Sequence, residues 1–367
     1  MKKVIFVHLY NDRSGSPKVL SQVIAALRDI GVFTEVITSK HDFGFLNDVA
    51  DVQKTLFYKR SENKYVTLFY YFISQLLLFF ISLRYLRQDV IFYVNTMMPI
   101  GASVAAKLTG KPVYYHVQET SLKPRVFKSF LRLVIKMTAQ KVIFVSKYLC
   151  DTEGFRGLEQ FVVYNALDNK FRPQQCDNYV RERGADDAFN SLMICSLKHY
   201  KGVPELIKVA EALVASPRFR FTLVLNASPE EIEEYFRGVA IPVNMTLYPR
   251  QVDVTPFYVD ADVVLNLSRP DEWIETFGLT ILEAMSYGVP VLVPPIGGPS
   301  EVVRNGEDGF LISCYDTDAI VQTLSRLSID FLAYSRLAAN ALKRSADFDE
   351  TSFRQALYTI LKPELGN

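Results

Sequence analysis

Short β-branched runs alternate with helix-period stretches along this chain, stop once, and then resume. In the first 165 residues the runs are Val4–Leu9, Phe33–Ile37, Val90–Val94, Val113–His116, Val142–Val145 and Phe161–Tyr164. Amphipathic segments such as Lys18–Ile30 and Val126–Ala139 lie between them. Residues 169–189 (NKFRPQQCDNYVRERGADDAF) are polar, hold no sustained period and read as a linker. The second series is Leu192–Cys195, Phe221–Leu225, Met245–Tyr248, Asp262–Leu267, Val289–Val293 and Gly309–Ile312. Its helical stretches are Val203–Val214, Pro256–Val259, Leu279–Tyr287 and Asp318–Leu327. Runs of this kind, buried on both faces and separated by helices, argue for parallel, doubly wound sheets. The predicted fold class is therefore α/β, with two Rossmann-like domains facing a central cleft. The domains are 1–168 and 190–349, and a terminal helical segment, 350–367, is expected to pack back on the first. Ligands of such sheets bind at the carboxyl ends of the strands, so the cleft is the expected site.

At 367 residues the length suits two domains. The net charge of +1 hides an asymmetry: residues 1–170 carry 23 basic and 13 acidic side chains, the remainder 18 and 27. A basic first half suits anionic partners or membrane surfaces; two solvated faces of unlike sign is the plainer reading. Cys150, Cys176, Cys195 and Cys314 have neither metal-ligand nor redox spacing, which argues against zinc or a disulfide framework and suits a reducing cytosol. The N-terminal apolar run is short, contains His8 and ends in Asn11, Asp12 and Arg13, so it reads as a buried first strand and not an export signal. Val66–Leu83 is 18 uncharged residues, at the lower edge of a membrane span. Thr67, Ser74, Gln75 and Ser82 interrupt it, so a buried or interfacial helix is expected, with a true span as the alternative. Lys128, Arg132 and Lys136 repeat every four residues on the amphipathic segment that follows, a pattern of peripheral membrane contact or of an ordinary surface helix. No nucleic-acid motif accompanies the charge.

Chemistry concentrates in Asn266–Phe310. A polar loop, Ser268–Glu275, leaves a buried strand, and a helix opens near Phe277 or Gly278. Glu275 precedes that helix and Glu283 lies roughly 9 Å along its axis. Backbone N–H groups at Phe277, Gly278 and Leu279 make an anion site suited to a phosphate. Two carboxylates bracketing a phosphate match a ligand with hydroxyls on both sides of a diphosphate, as in a nucleotide sugar. Dipole preference for the first glutamate and solvation for the second is the structural alternative. Asp260 and Asp262 have a metal-binding spacing but open their strand on the side away from the cleft, so no metal site is expected.

The run Glu275-Thr-Phe-Gly-Leu-Thr-Ile-Leu-Glu283-Ala-Met-Ser-Tyr-Gly-Val-Pro290, with Gly297-Gly298-Pro-Ser-Glu301 after it, resembles the two-glutamate signature of the retaining glycosyltransferases of family 4. These group 1 glycosyltransferases have the GT-B fold. Val163–Pro173 is similar to the family's domain junction, and Lys201-Gly202 to its phosphate-binding lysine. The resemblance implies that Glu275 holds donor-sugar hydroxyls, with Thr276 beside it. Phe277, Gly278 and Leu279 would present amides to sugar and diphosphate, Glu283 would bind ribose, and Lys201 would neutralise the leaving diphosphate. The family commonly has an arginine shortly before that lysine; here Ser196 and Lys198 stand instead, and a lysine lacks arginine's bidentate fork. His116 matches a histidine often found near the reacting sugar and acceptor, with Glu119 as a second acceptor-side candidate; a satisfied core histidine is the alternative. Gly15 stands where the family usually has a glycine pair. The implied activity is metal-independent transfer of a hexose, from a UDP- or GDP-sugar, to a glycan or lipid-linked acceptor in cell-surface polysaccharide synthesis. No cofactor is implied, and the expected location is cytoplasmic, at the inner face of the membrane. Base recognition is expected near Tyr248–Gln251. A nucleotide-sugar epimerase of the same fold and a non-catalytic partner subunit are the rival readings.

Overall fold

The computed structural model describes residues 3–42, 44–61, 63–168 and 187–365. The chain divides into two compact units, Met1–Asn165 with Thr351–Asn367, and Ala166–Glu350.

In the first unit seven strands run along the chain: β1 (Lys3–Val7), β2 (Thr34–Ser39), β3 (Val52–Leu56), β4 (Val90–Asn95), β5 (Val113–Val117), β6 (Lys141–Phe144) and β7 (Glu159–Val162). They pair in parallel in the order β3-β2-β1-β4-β5-β6-β7. Central strands such as β4 and β5 are buried at every position, which is why their sequences read as unbroken apolar runs. β3 escapes pattern reading because it is an edge strand: in VQKTL only Leu56 is buried, and Lys54 charges the edge. The crossovers β3→β4, β4→β5 and β5→β6 all move the same way across the sheet. Right-handed connection therefore puts the helices Lys64–Leu83, Ile100–Leu108 and Arg125–Thr138 on one face. The β1→β2 crossover reverses direction and puts Gly15–Asp29 on the other face. That helix opens at Gly15, two residues before Pro17.

The C-terminal helix, Glu350–Leu365, contributes to this unit from residue 351 onward. Leu357 and Leu361 are fully buried, Lys141 Nζ donates to the Ile360 carbonyl at 3.0 Å, and Arg354 pairs with Asp29. On Arg125–Thr138, two of the three basic residues expected to face outward do not. Lys128 and Arg132 both turn to Glu153, a carboxylate 2% exposed whose charge needs partners, and Lys136 alone stays exposed.

The second unit has strands β8 (Phe189–Cys195), β9 (Phe219–Leu225), β10 (Met245–Tyr248), β11 (Val263–Leu265), β12 (Val291–Val293) and β13 (Gly309–Leu311). Their order is β10-β9-β8-β11-β12-β13, again all parallel. β8 begins at Phe189, fully buried, so the last residue of the expected linker is core; residues 169–186, with Cys176 and the end of the junction motif, lie outside the described residues. Phe331–Ser345 is a helix that pattern reading leaves unassigned, because alanines supply much of its buried face (Tyr334, Leu337, Ala338, Ala341).

Candidate active site

In the second unit, β8 runs out into a loop that ends in a single 3-10 turn, His199–Lys201. Lys201 Nζ lies 2.6 Å from Glu275 Oε2, and both side chains are 18% exposed. Burial works against the lysine's charge, but the charge and hydrogen bond of Glu275 outweigh it and hold the ammonium above its ordinary pKa. Lys201 is thus a fixed cation at neutral pH, at the carboxyl end of a central strand.

Two loops meet to make this pair, and side chains that sequence reading does not single out hold them together. The Arg269 amide donates to the Tyr200 carbonyl at 2.8 Å, and its guanidinium forks onto Glu205 at 2.7 and 3.1 Å. The same guanidinium reaches Glu272 at 2.9 Å and His199 at 2.7 Å. Hydrogen bonds to Glu205 are the largest cause of an arginine pKa pushed still higher. Trp273 stacks on Tyr200 with ring centroids 5.1 Å apart and planes at 16°. Gly297 holds the loop from the other side: its φ is +82°, and a Cβ there would meet the Glu275 carbonyl oxygen at 2.3 Å. The neighbouring Gly298 amide donates to that carbonyl at 2.9 Å.

Past Glu275 the chain turns at Gly278, whose φ of +95° lies in the left-handed region, and enters the helix Leu279–Ser286. First-turn amides of such a helix have no acceptor within it and point at the strand ends. Phe277 buries its ring against Phe348, leaving the backbone as its means of contact with a ligand. Glu283 is not a solvated mid-helix residue: it is 5% exposed and accepts from Tyr258 Oη at 2.7 Å. Tyr258, packed against Tyr287, has its phenol driven well above the usual range, first by burial and then by the Glu283 charge. Tyr258 comes from the helix Thr255–Asp260, and no spacing in the sequence links it to Glu283.

Of the remaining expected residues, Ser196 is half-buried in the loop and Lys198 is exposed, its carbonyl accepting the Lys201 amide at 2.9 Å. Thr276 follows in the loop seated on Gly298, where an added Cβ would meet its carbonyl oxygen at 2.3 Å. Asp262 accepts the Asn190 amide at 2.7 Å at the amino end of β11, a structural contact. Cys195 is a free thiol pushed up to about 12 by burial.

In the first unit, a second polar cluster sits at the carboxyl ends of β1, β4 and β5, where the strand order reverses about β1. His116 is fully buried; one ring nitrogen meets Tyr93 Oη at 2.9 Å and, among the described residues, the other has no partner. Burial pushes its pKa down to about 3, so the imidazole is neutral. Glu119 accepts the Met97 amide at 2.7 Å and is pushed up to about 7 by burial. Asn95 links the cluster: it contacts His8 at 3.1 Å, donates to the Ser16 carbonyl at 3.1 Å beside Gly15, and accepts from Gln118 at 2.5 Å. His8 and Asn95 each end an apolar strand by one residue, which hides them in the hydrophobic pattern.

Two Rossmann-like parallel sheets, each with polar residues at its strand ends, define the class. The solved structure of Anabaena Alr3699/HepE in complex with UDP and glucose matches with a TM-score of 0.78 at 21% identity, covering 98% of this chain and 99% of that one. Sucrose-phosphate synthase from Thermosynechococcus elongatus matches at 0.75 and 16% identity, covering 100% and 99%. The fold is GT-B. Residues 179–344 match the family model described as glycosyl transferases group 1. A protein of the cps region of Klebsiella pneumoniae is 25% identical over 322 residues, 80% of this chain and 84% of its own length. Sucrose synthase of Melioribacter roseus is 43% identical over 74 residues, 19% of this chain, and the match spans only 9% of that relative. The group 1 match covers a little under half of the chain and lies within the second unit, whereas the likeness in fold covers nearly all of it.

Proposed function

We propose that the protein is a retaining hexosyltransferase that works without a metal ion. It takes a nucleotide sugar, UDP- or GDP-linked, and glycosylates a glycan or lipid-linked acceptor in cell-surface polysaccharide synthesis. The observation that carries this reading is the Lys201–Glu275 pair, 2.6 Å apart and set before a helix N-terminus that leads to the buried Glu283. On this reading a donor diphosphate displaces Glu275 from Lys201 and takes the ammonium and the amides of Gly278 and Leu279 as its counter-charge. Glu275 is then released to the sugar hydroxyls, and Glu283 holds the ribose. The leaving diphosphate takes the acceptor's proton on the same face, so configuration is retained and no enzyme nucleophile is required. His116 and Glu119 in the first unit serve the acceptor side, Glu119 with a proton affinity near neutrality. The UDP-glucose complex of Anabaena Alr3699/HepE makes UDP-glucose the first donor to try, and the cps-region relative supports a polysaccharide acceptor. The proposed location is the cytoplasmic face of the membrane.

The test is donor turnover and thermal stabilisation across UDP-, GDP-, ADP- and dTDP-sugars. Lys201→Ala and Glu275→Ala should each lower turnover by about 10²–10³ while the fold persists. A donor at 100 times its Kd should stabilise the protein by about 2.7 kcal/mol, and Glu283→Ala should abolish that shift. Near-normal turnover in both variants would sink the assignment; donor conversion without acceptor would mark an epimerase, and silence across the panel a non-catalytic subunit.

A further inference from the structure

The helix Lys64–Leu83 is inside out. Its buried positions include Ser74, Gln75 and Ser82, whereas Phe69, Phe72, Leu76 and Phe80 are 47–62% exposed. Spacings of three and four residues put those four on one stripe, and the exposed Lys64 and Arg84 stand at the two ends of the helix. By length and composition it is long and apolar enough to cross a membrane, yet its polar side is built into the domain. Ser74 Oγ donates to the Phe57 carbonyl at 2.6 Å, Tyr71 Oη to the Met98 carbonyl at 2.9 Å, and the Gly101 amide to Gln75 Oε1 at 2.9 Å. A Cβ on Gly101 would meet the Gln75 carbonyl oxygen at 2.0 Å, so the two helices touch backbone to backbone. Spanning a bilayer would strip all of these contacts.

Arg125–Thr138, on the same face of the sheet and joined through the Tyr71–Phe127 ring contact at 5.3 Å, carries a second exposed stripe in Leu133 and Met137. Exposed lysines and arginines rim both helices. Between residues 57 and 141 nine are exposed, against one exposed acid among the described residues, Asp89.

We infer that this face docks on an anionic lipid leaflet, with the Lys64–Leu83 helix lying in the interface, its apolar stripe in the acyl region and its basic rim at the headgroups. The charge decides between occupants. A second copy would bring like-charged rims together, whereas anionic headgroups complement them. Helices of this kind bind by apolar insertion and electrostatic attraction together. The inference does not depend on the proposed reaction, and vesicle binding is read separately from sugar transfer.

The experiment is flotation of the full chain with vesicles of phosphatidylcholine and phosphatidylglycerol, against phosphatidylcholine alone. The wild type should float with the anionic vesicles. Phe72→Glu with Phe80→Glu, and Lys64→Glu with Arg84→Glu, should each reduce binding by about tenfold or more. All four side chains are exposed, so circular dichroism should show both variants folded. Carbonate should release the protein from membranes. Failure of the wild type to float, or variants that float like it, would overturn the inference. So would retention through carbonate, which marks a span, or a dimer that Phe72→Glu with Phe80→Glu splits, which assigns the face to a second copy.

Discussion

Burial sets the protonation of three side chains at the strand ends of the first unit, and it acts on them in opposite senses. His8 and His116 are pushed down to about 4 and about 3, so below their ordinary value of 6.5 the unfolded chain binds more protons than the folded one. Their contribution to stability is present above that value and is lost as pH falls. Glu119 is pushed up from 4.5 to about 7, so the folded chain keeps a proton that the unfolded chain releases, and its contribution declines as pH rises across that window. Glu119→Gln should therefore gain on the wild type by about 3 kcal/mol between pH 4.5 and 7, read from urea midpoints at fixed pH. Parallel profiles would show that Glu119 is ionised throughout. Sequence alone places His116 and Glu119 at a strand end, but a proton affinity depends on what is packed around the group. The same holds for Glu283, whose burial against Tyr258 no spacing rule shows.

At the scale of elements, the site is a matter of two loops held in register. Tyr200 and Trp273 stack across them, and Arg269 ties both through Glu205, Glu272 and His199. Loss of the stack should misplace Lys201 and Glu275 together. Trp273→Ala should lower kcat/KM by about 10²-fold, mainly through kcat, whereas Trp273→Phe keeps a flat ring and should recover most of it. Steady-state kinetics with whichever sugar nucleotide the donor panel selects gives the answer, and equal loss in both variants would refute a positioning role. Trp273 is the single tryptophan of the chain, so its emission should also report donor binding directly. The loop residues fall within a polar stretch where periodicity carries no information. Helix existence was legible from patterning for Leu279–Ser286 and Arg125–Thr138; the direction in which Lys128 and Arg132 point was not, because the buried Glu153 that attracts them lies on a later helix.

Across the whole molecule, the two units have separate cores, and the chain returns to the first for its last helix. Leu357→Ala on that helix should cost about 2–5 kcal/mol, and the loss should fall on the first unit. Hydrogen exchange should then quicken in β6 and β7 while β8 to β12 keep their protection; uniform quickening would mean that the units unfold as one. The sequence by itself determined the two parallel sheets and most of their strands, because strands buried on both faces must be apolar throughout and the helices between them must be amphipathic. It also carries the resemblance to the group 1 glycosyltransferases, through a run of residues contiguous in the chain. The tertiary structure decided the rest: the partners of Lys201, Glu283 and Glu153, the proton affinities of His116 and Glu119, and the outward apolar face of Lys64–Leu83. Each of these is set by residues far apart in the chain, and burial and charge pairing act through space, which a one-dimensional pattern does not record.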